Sequence, residues 1–481
     1  MIQAKDCIQS LSLVFIFLIL FSCSNKAEKY IAEKNTEKIR PNIILINVDD
    51  MGWRDVGFMG SEYYETPHLD ALAASGMIFT NAYASSSNCA PSRANMMSGQ
   101  WPQRHGIFTV GSSERGKSST RKLIPTKNKD YITKDNILIP EVLKKAGYIT
   151  CHSGKWHLND DPTTNGFDVN IGGNHSGNPG SYYPPYKRVP SLTPPSDDYY
   201  LTNLVMDKTL DFLDAANDQP FFLYYSPYAV HTPIQPVKSL LEKYEGKPAW
   251  NGQNNATYAT MVENLDTQIG RMIAKLKESG QLENTFILFI SDNGGHYKIT
   301  KQWPLRSGKG AYYEGGIRAP MFAYWEGKIL AGTKSETPIS NLDFYPTILE
   351  VAGVAKPIDK VLDGRSILPV LTNQSEMAPR PLYWHFPIYL EAYVNNDTTT
   401  FDPLFRTRPG SAIRLGDWKL IQYFENNDIE LFNLKDDLGE KNNLAQSNPE
   451  KANELLEHLE KWRDNTNAPV PTELNSKYIS N

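Results

Sequence analysis

Hydrophobic positions between residues 41 and 370 fall into two kinds of run that alternate along the chain. Short unbroken apolar stretches such as Asn42–Val48 carry no polar face and predict strands covered on both sides. Similar stretches predict strands at Met77–Tyr83, Tyr148–His152, Phe221–Tyr225, Thr285–Ile290 and Met321–Trp325. Between them, apolar residues three and four apart predict helices at Ile139–Ala146, Tyr199–Ala216, Tyr258–Glu278 and Phe344–Ala352. Thr66-Pro67 opens a further helix that Gly76 closes, with proline at the first helical position. This alternation predicts an α/β domain over 41–375, built on a mostly parallel central sheet flanked by helices. Residues 172–198 are dense in Gly, Pro, Ser and Tyr and predict a long irregular loop.

The pattern changes near residue 376. Leu382–Phe386, Ser411–Arg414, Trp418–Tyr423 and Glu430–Asn433 read as short antiparallel strands. Asn448–Arg463 reads as an amphipathic helix with Leu455, Leu456, Leu459 and Trp462 on one side. A small α+β subdomain is therefore expected over 376–481.

At the other end, Leu13–Phe21 is an apolar run too short to span a bilayer, which takes about 20 residues, but of the length of a signal-peptide core. Leu20-Phe21-Ser22-Cys23 resembles a bacterial lipobox. The expectation is a lipoprotein signal over 1–22, a lipid on Cys23 and a flexible tether over 23–40. An ordinary cleaved signal with a chance cysteine is the alternative. The lipobox places the chain in a bacterial outer membrane, facing periplasm or cell surface, with the lipid as its contact with the membrane.

Composition narrows the function classes. The chain has 481 residues, 40% of them hydrophobic and 21% charged, which excludes a disordered chain. The net charge is −5, so no basic excess is available to follow a nucleic-acid backbone, and no nucleic-acid partner is expected. The 26 Tyr, 9 Trp and 32 Pro lean toward a loop-rich enzyme able to stack on sugar rings. The 4 cysteines are Cys7, Cys23, Cys89 and Cys151, and no disulfide is expected among them.

In open α/β sheets, ligands bind beyond the carboxyl ends of the strands. The first strand here runs into Asp49-Asp50, and another into Asp292-Asn293-Gly294-Gly295-His296. Three carboxylates and an amide at one edge would repel without a cation among them. Hard oxygen donors favour Ca²⁺, with Mg²⁺ second. Taken singly, Asp-Asp would serve as a helix cap and Asp-Asn-Gly-Gly as a turn. Ser87-Asn-Cys89-Ala-Pro-Ser92-Arg93 places Cys89 at a helix N-terminus with Arg93 one turn on. That position suits a thiolate nucleophile or a buried structural cysteine.

Cys89-x-Pro91-Ser92-Arg93 followed by Ser-Gly resembles the signature of type I sulfatases, within the alkaline-phosphatase-like superfamily. Asp49-Asp50, the Cys89 signature, Gly154-Lys155-Trp-His157, His231-Thr-Pro233, Asp292-Asn293-Gly and Gly308-Lys309 occur in that family's order across most of residues 41–470. The resemblance implies that a formylglycine-generating enzyme oxidises Cys89 to formylglycine, whose hydrated aldehyde attacks sulfur. It implies one Ca²⁺ held by Asp49, Asp50, Asp292, Asn293 and the oxidised Cys89. Arg93 would polarise the nucleophile, and Lys155 and Lys309 would clamp sulfate oxygens. His231 would protonate the leaving oxygen, and His157 would take the proton when sulfate is expelled.

The expected partner is a sulfated oligosaccharide or polysaccharide, attacked from its end. Algal polymers such as ulvan or carrageenan come first and host glycosaminoglycans second. His296 could touch substrate, assist His231, or act as the metal histidine of a two-zinc relative. His175, Tyr183 and neighbouring Tyr182 in the long loop, with His385 and Arg414 from the small subdomain, are candidates for a sugar subsite. The rival readings are a phosphodiesterase or phosphonate hydrolase on the same fold and a catalytically dead glycan-binding lipoprotein.

Overall fold

The computed structural model describes residues 40–479 apart from 217–218 and 395–396, so the expected signal, the Cys23 lipid site and the tether up to residue 39 lie outside the described residues. The main sheet has eight strands: β1 (Asn42–Val48), β2 (Met77–Phe79), β4 (Ile149–Gly154), β5 (Val169–Ile171), β6 (Phe221–Ser226), β7 (Thr285–Ser291), β8 (Met321–Tyr324) and β9 (Thr333–Ser335). Their spatial order is β5-β4-β6-β1-β7-β8-β2-β9. All run parallel except β8, which is antiparallel to both neighbours.

The unbroken apolar run of β1 is explained by its place at the centre, where Ile44 lies opposite Leu223 on one side and Ile287 on the other. Ile44, Ile46 and Val48 face a layer built from helices Leu201–Ala215 and Ala256–Glu278. Ile43 and Leu45 face the opposite layer, with helices Cys89–Ser98, Ile139–Lys145 and Phe344–Ala352. Both faces are dry, as a parallel sheet between helices requires.

The single strand expected over Met77–Tyr83 is instead two. β2 stops at Phe79, and Ala82–Tyr83 forms β3, paired with β10 (Ile339–Ser340) in a separate small sheet. The Arg318 guanidinium donates to the Thr80 carbonyl oxygen at 3.0 Å, where the chain passes from one sheet to the other. Residues 172–198 carry no helix or strand.

In the C-terminal part, β11 (Leu382–Phe386), β14 (Gly410–Leu415), β15 (Trp418–Tyr423) and β16 (Asp428–Asn433) form an antiparallel sheet in that order. A short pair, β12 (Leu390–Glu391) and β13 (Phe405–Thr407), stands beside it. Strand alternation splits the sheet's side chains between two clusters. Trp384, Ala412, Ile421 and Phe432 pack toward Tyr83 and Tyr312. Ile413, Leu420 and Leu431 pack on Leu455, Leu459 and Trp462 of helix Pro449–Thr466. Lys419 reaches back from β15 into the larger part, 3.0 Å from Glu314 and 2.8 Å from Glu440, with all three side chains buried.

Candidate active site

Four neighbouring strands, β4, β6, β1 and β7, end on one edge, and each hands over a polar group. β1 gives Asp49 and Asp50, β7 gives Asp292 and Asn293, β4 gives Lys155 and His157, and the loop after β6 gives His231. Cys89 opens the helix that follows β3, and Lys309 comes from the loop after β7. The backbone turns sharply here. Asp50 has φ 61° and His157 φ 64°, left-handed values that non-glycine residues hold only where surroundings enforce them. Gly154 sits where a Cβ would lie 2.0 Å from the Ser226 carbonyl oxygen, so β4 and β6 approach too closely for any side chain.

Each carboxylate has a cation. Lys155 Nζ lies 2.9 and 2.7 Å from the two oxygens of Asp49. Lys309 Nζ lies 2.7 Å from Asp50 Oδ1. Arg93 Nε donates to Asp292 Oδ2 at 2.8 Å, and its Nη1 reaches the Lys155 carbonyl and Ser226 Oγ. Burial opposes ionisation of Asp50, yet Lys309 and His231 beside it hold its carboxyl below the usual range. For Asp49 burial prevails over Lys155, and its carboxyl is pushed up.

Lys309 Nζ also lies 2.9 Å from Cys89 Sγ. Burial nevertheless pushes the thiol up to about 12, against the pull of Lys155 and Lys309. An unmodified Cys89 is thus a protonated thiol at neutral pH and a weak nucleophile.

His231 Nε2 is 3.5 Å from Asp50 Oδ2, while Nδ1 lies 2.8 Å from the Thr232 carbonyl oxygen. Burial lowers its imidazole to about 4, against Asp49 and Asp50, and Nε2 is the nitrogen turned to the cluster. Burial, with Lys155 and Arg93 nearby, drives His157 well below its ordinary value, and its Nδ1 is buried without a partner.

The sequence candidates for the periphery divide. His175 stacks on Tyr131 at 4.3 Å between ring centroids and stands edge-on to His157 at 6.0 Å, which places it next to the cluster. His296 stacks on Tyr393 at 3.8 Å. Tyr183 spends its hydroxyl on the Pro236 carbonyl oxygen. Tyr182 is buried and braces the His231 loop through the carbonyl oxygens of Tyr228 and His231. His385 and Arg414 require correction. His385 is buried between Ser411 Oγ and the Pro469 carbonyl oxygen, and Arg414 is buried against the Tyr83 hydroxyl, so neither can line a sugar subsite.

Sequence reasoning missed Ser226 and Tyr224, which hold Arg93, and Tyr393 with Arg406, whose guanidinium lies 3.7 Å from the Tyr393 ring centroid. Arg406 also donates to the Lys309 carbonyl oxygen at 3.3 Å. All four are distant in sequence from the residues they support and carry no motif.

The site fits a dication. Ligand atoms of Asp49, Asp50, Cys89 and His231 lie within 4.8 Å of one another. Asn293, whose Nδ2 donates to Asp50 Oδ1 at 2.8 Å, adds an amide oxygen that is buried with no donor. With three carboxylates balanced by Lys155, Lys309 and Arg93, the cluster is close to neutral. A dication would make it positive, suited to an anion such as a sulfate ester.

Comparison with known proteins agrees with this chemistry. Residues 41–354 match the sulfatase family, and residues 308–466 match the C-terminal region of N-sulphoglucosamine sulphohydrolase. A sulfatase of Formosa agariphila is 32% identical, covering 90% of each chain. Human N-acetylgalactosamine-6-sulfatase is 33% identical over 72% of this chain and 68% of its own. The crystal structure of Ps i-CgsB in complex with k-i-k-neocarrahexaose superposes with a TM-score of 0.71 at 31% identity, over 88% of this chain and 92% of that one. An acidic edge with a cysteine at a helix N-terminus, found on a chain with these relatives, makes this protein a member of the sulfatase family, enzymes that hydrolyse sulfate esters.

Proposed function

We propose that the chain removes sulfate from a carbohydrate outside the cytoplasm, using oxidised Cys89 as nucleophile and one Ca²⁺. The observation that carries this reading is Cys89 at the head of a fully buried helix, 2.9 Å from Lys309 and beside Asp50. Asp49, Asp50, Asp292 and Asn293 would hold the ion, an oxygen-rich set that suits Ca²⁺. The ion supplies Lewis-acid polarisation of a sulfate oxygen, and oxidation of Cys89 replaces an inert thiol with an oxygen nucleophile. Arg93, fixed by Asp292 and Ser226, orients the group at position 89. Lys155 and Lys309 bring two positive charges to the sulfate oxygens, where charge grows in the transition state. His231 presents Nε2 for the leaving oxygen, and His157, neutral and with a free Nδ1, is placed to accept a proton. Hydrolysis consumes one water and yields the free hydroxyl and sulfate.

A sulfated algal polymer such as carrageenan or ulvan, attacked from its end, is the first substrate class. It is supported by the likeness to a protein crystallised with a neocarrahexaose. Glycosaminoglycans are second, supported by the likeness to an N-acetylgalactosamine-6-sulfatase. The Leu13–Cys23 segment supports export and a lipid anchor in an outer membrane. A transition-metal phosphodiesterase is the second reading, because Cys89 Sγ and His231 Nε2 share the ligand sphere with the carboxylates. Ion chromatography for free sulfate over a panel of sulfated oligosaccharides, with protein matured by a formylglycine-generating enzyme, tests the proposal. Cleavage of a phosphodiester to monoester and alcohol with Zn²⁺, and no release of sulfate with Ca²⁺, would overturn it.

A further inference from the structure

Four residues beyond Asp50, the Arg54 guanidinium lies 5.6, 5.4 and 5.6 Å from the ring centroids of Trp53, Trp250 and Trp303. Among the described residues no carboxylate pairs with it, and its Nε is buried with no hydrogen-bond acceptor. Folded proteins rarely leave a buried N–H in that state. Trp303, by contrast, is 55% exposed. A large indole face open to solvent therefore stands beside a cation that lacks an acceptor.

The cluster is rigid. Trp53 N donates to Gln302 Oε1 at 2.8 Å, and Thr300 Oγ1 and Tyr258 Oη converge on buried Asp55 at 2.6 and 2.7 Å. Trp250 and Gln253 exchange backbone hydrogen bonds of 3.0 and 2.8 Å across a tight turn in which Asn251 and Gly252 have φ 47° and 84°. Preorganised aromatic and cationic groups bind without an ordering cost. The site is also near the chemistry. Trp303 belongs to the loop that starts at Asn293 and ends at Lys309, and a four-residue chain limits the Asp50–Arg54 Cα separation to about 14 Å.

We propose that Trp303, Trp250 and Arg54 form a second carbohydrate site that holds a sulfated sugar unit of the same chain whose end is desulfated at Cys89. The indole face of Trp303 takes the apolar face of a pyranose ring. Arg54, set among the three indoles, supplies N–H donors to a sulfate group. The ligand class rests on the sulfatase reading given above; the presence of an anion-seeking aromatic site does not.

The test is native affinity electrophoresis of the full chain through gels cast with carrageenan, chondroitin sulfate or neutral agarose. Turnover of a small aryl sulfate is measured alongside. Wild type should be retarded by at least one sulfated polymer, less so at high salt, and not by agarose. Trp303→Ala and Arg54→Gln should each weaken retardation by roughly tenfold, the scale of truncating a Trp or Arg anchor, with aryl sulfate turnover unchanged. Trp303→Phe, which keeps a ring, and Arg54→Lys, which keeps a charge, should fall between. Equal retardation of wild type and Trp303→Ala, or wild type passing freely through both sulfated gels, would overturn the site. Loss of aryl sulfate turnover along with retardation would also overturn it, because the residues would then be supporting the catalytic loops. Retardation lost in the variants, on a protein that releases no sulfate from any sugar, would leave the site standing and sink the functional reading instead.

Discussion

The Lys155 ammonium lies 2.7 Å from Asp49 Oδ2, and neither side chain is exposed at all. With Lys309 on Asp50 and Arg93 on Asp292, every carboxylate of the cluster is paired before any ion arrives. Removing one partner of a buried pair costs about 3–5 kcal/mol, because a charge is left stranded. Metal-free protein should therefore keep its native fold on chelation, read by circular dichroism, and lose its activity until Ca²⁺ is returned. Lys155→Met should destabilise the metal-free protein by that amount. Ca²⁺ should then raise its unfolding midpoint by more than it raises the wild type's, since the ion takes over the stranded charge of Asp49.

Position 89 should carry an aldehyde in active protein. A hydrazide probe should label the peptide spanning Cys89, and Cys89→Ala should abolish both labelling and turnover without lowering stability by more than about 1 kcal/mol. An unlabelled thiol in fully active enzyme would refute the nucleophile assigned above.

His231 should matter in proportion to the leaving group's need for a proton. A general acid contributes about 10²–10⁴-fold, and a sugar alkoxide needs one where nitrophenolate barely does. His231→Ala should lower kcat on a sulfated sugar by that range and spare most of the turnover of an aryl sulfate. Equal losses on both would remove His231 from this role and turn attention to His296.

His385, held neutral between Ser411 and Pro469, has its imidazole lowered by burial to about 3. Its folded value lies below its unfolded one, so its contribution is complete above about pH 6.5 and is lost as pH falls toward 3. The stability of wild type relative to His385→Gln should fall by about 1.4 kcal/mol per pH unit between roughly pH 6 and 4, from denaturant titrations. A difference that does not change with pH would show that this histidine does not titrate against the fold.

Lys419 holds Glu314 and Glu440 together inside the junction between the two sheets. Lys419→Met should cost about 3–5 kcal/mol. Burial pushes the Glu440 carboxyl up to about 7, against Lys419, so acid neutralises Glu440 readily, while Lys419 and Arg318 hold the Glu314 carboxyl low against its burial. The defect should shrink from about pH 8 to about pH 5 as protons replace the lost ammonium.

What the chain discloses by itself is local. β1, β7 and helix Phe344–Ala352 follow from runs and spacing within one segment, and Asp49, Asp50 and Asp292 follow from what stands at a strand's end. The break after Phe79 was hidden because the strand that Ala82–Tyr83 pairs with, Ile339–Ser340, is far along the chain. Ser226, Tyr224, Tyr393 and Arg406 were hidden for the same reason. His385 was legible and misread. Alternation in β11 puts Leu382, Trp384 and Phe386 on one face and Tyr383 with His385 on the other. There His385 lies edge-on to Trp462, facing the last helix and not a cleft.

Cys89 is 1% exposed, and all ten residues of its helix are buried. A folded molecule therefore presents nothing at this position for another enzyme to grip. A catalyst that converts the thiol would have to meet the segment around Cys89 before the chain folds. On the proposed function, oxidation would then compete with folding, and a copy that folded first would keep its thiol.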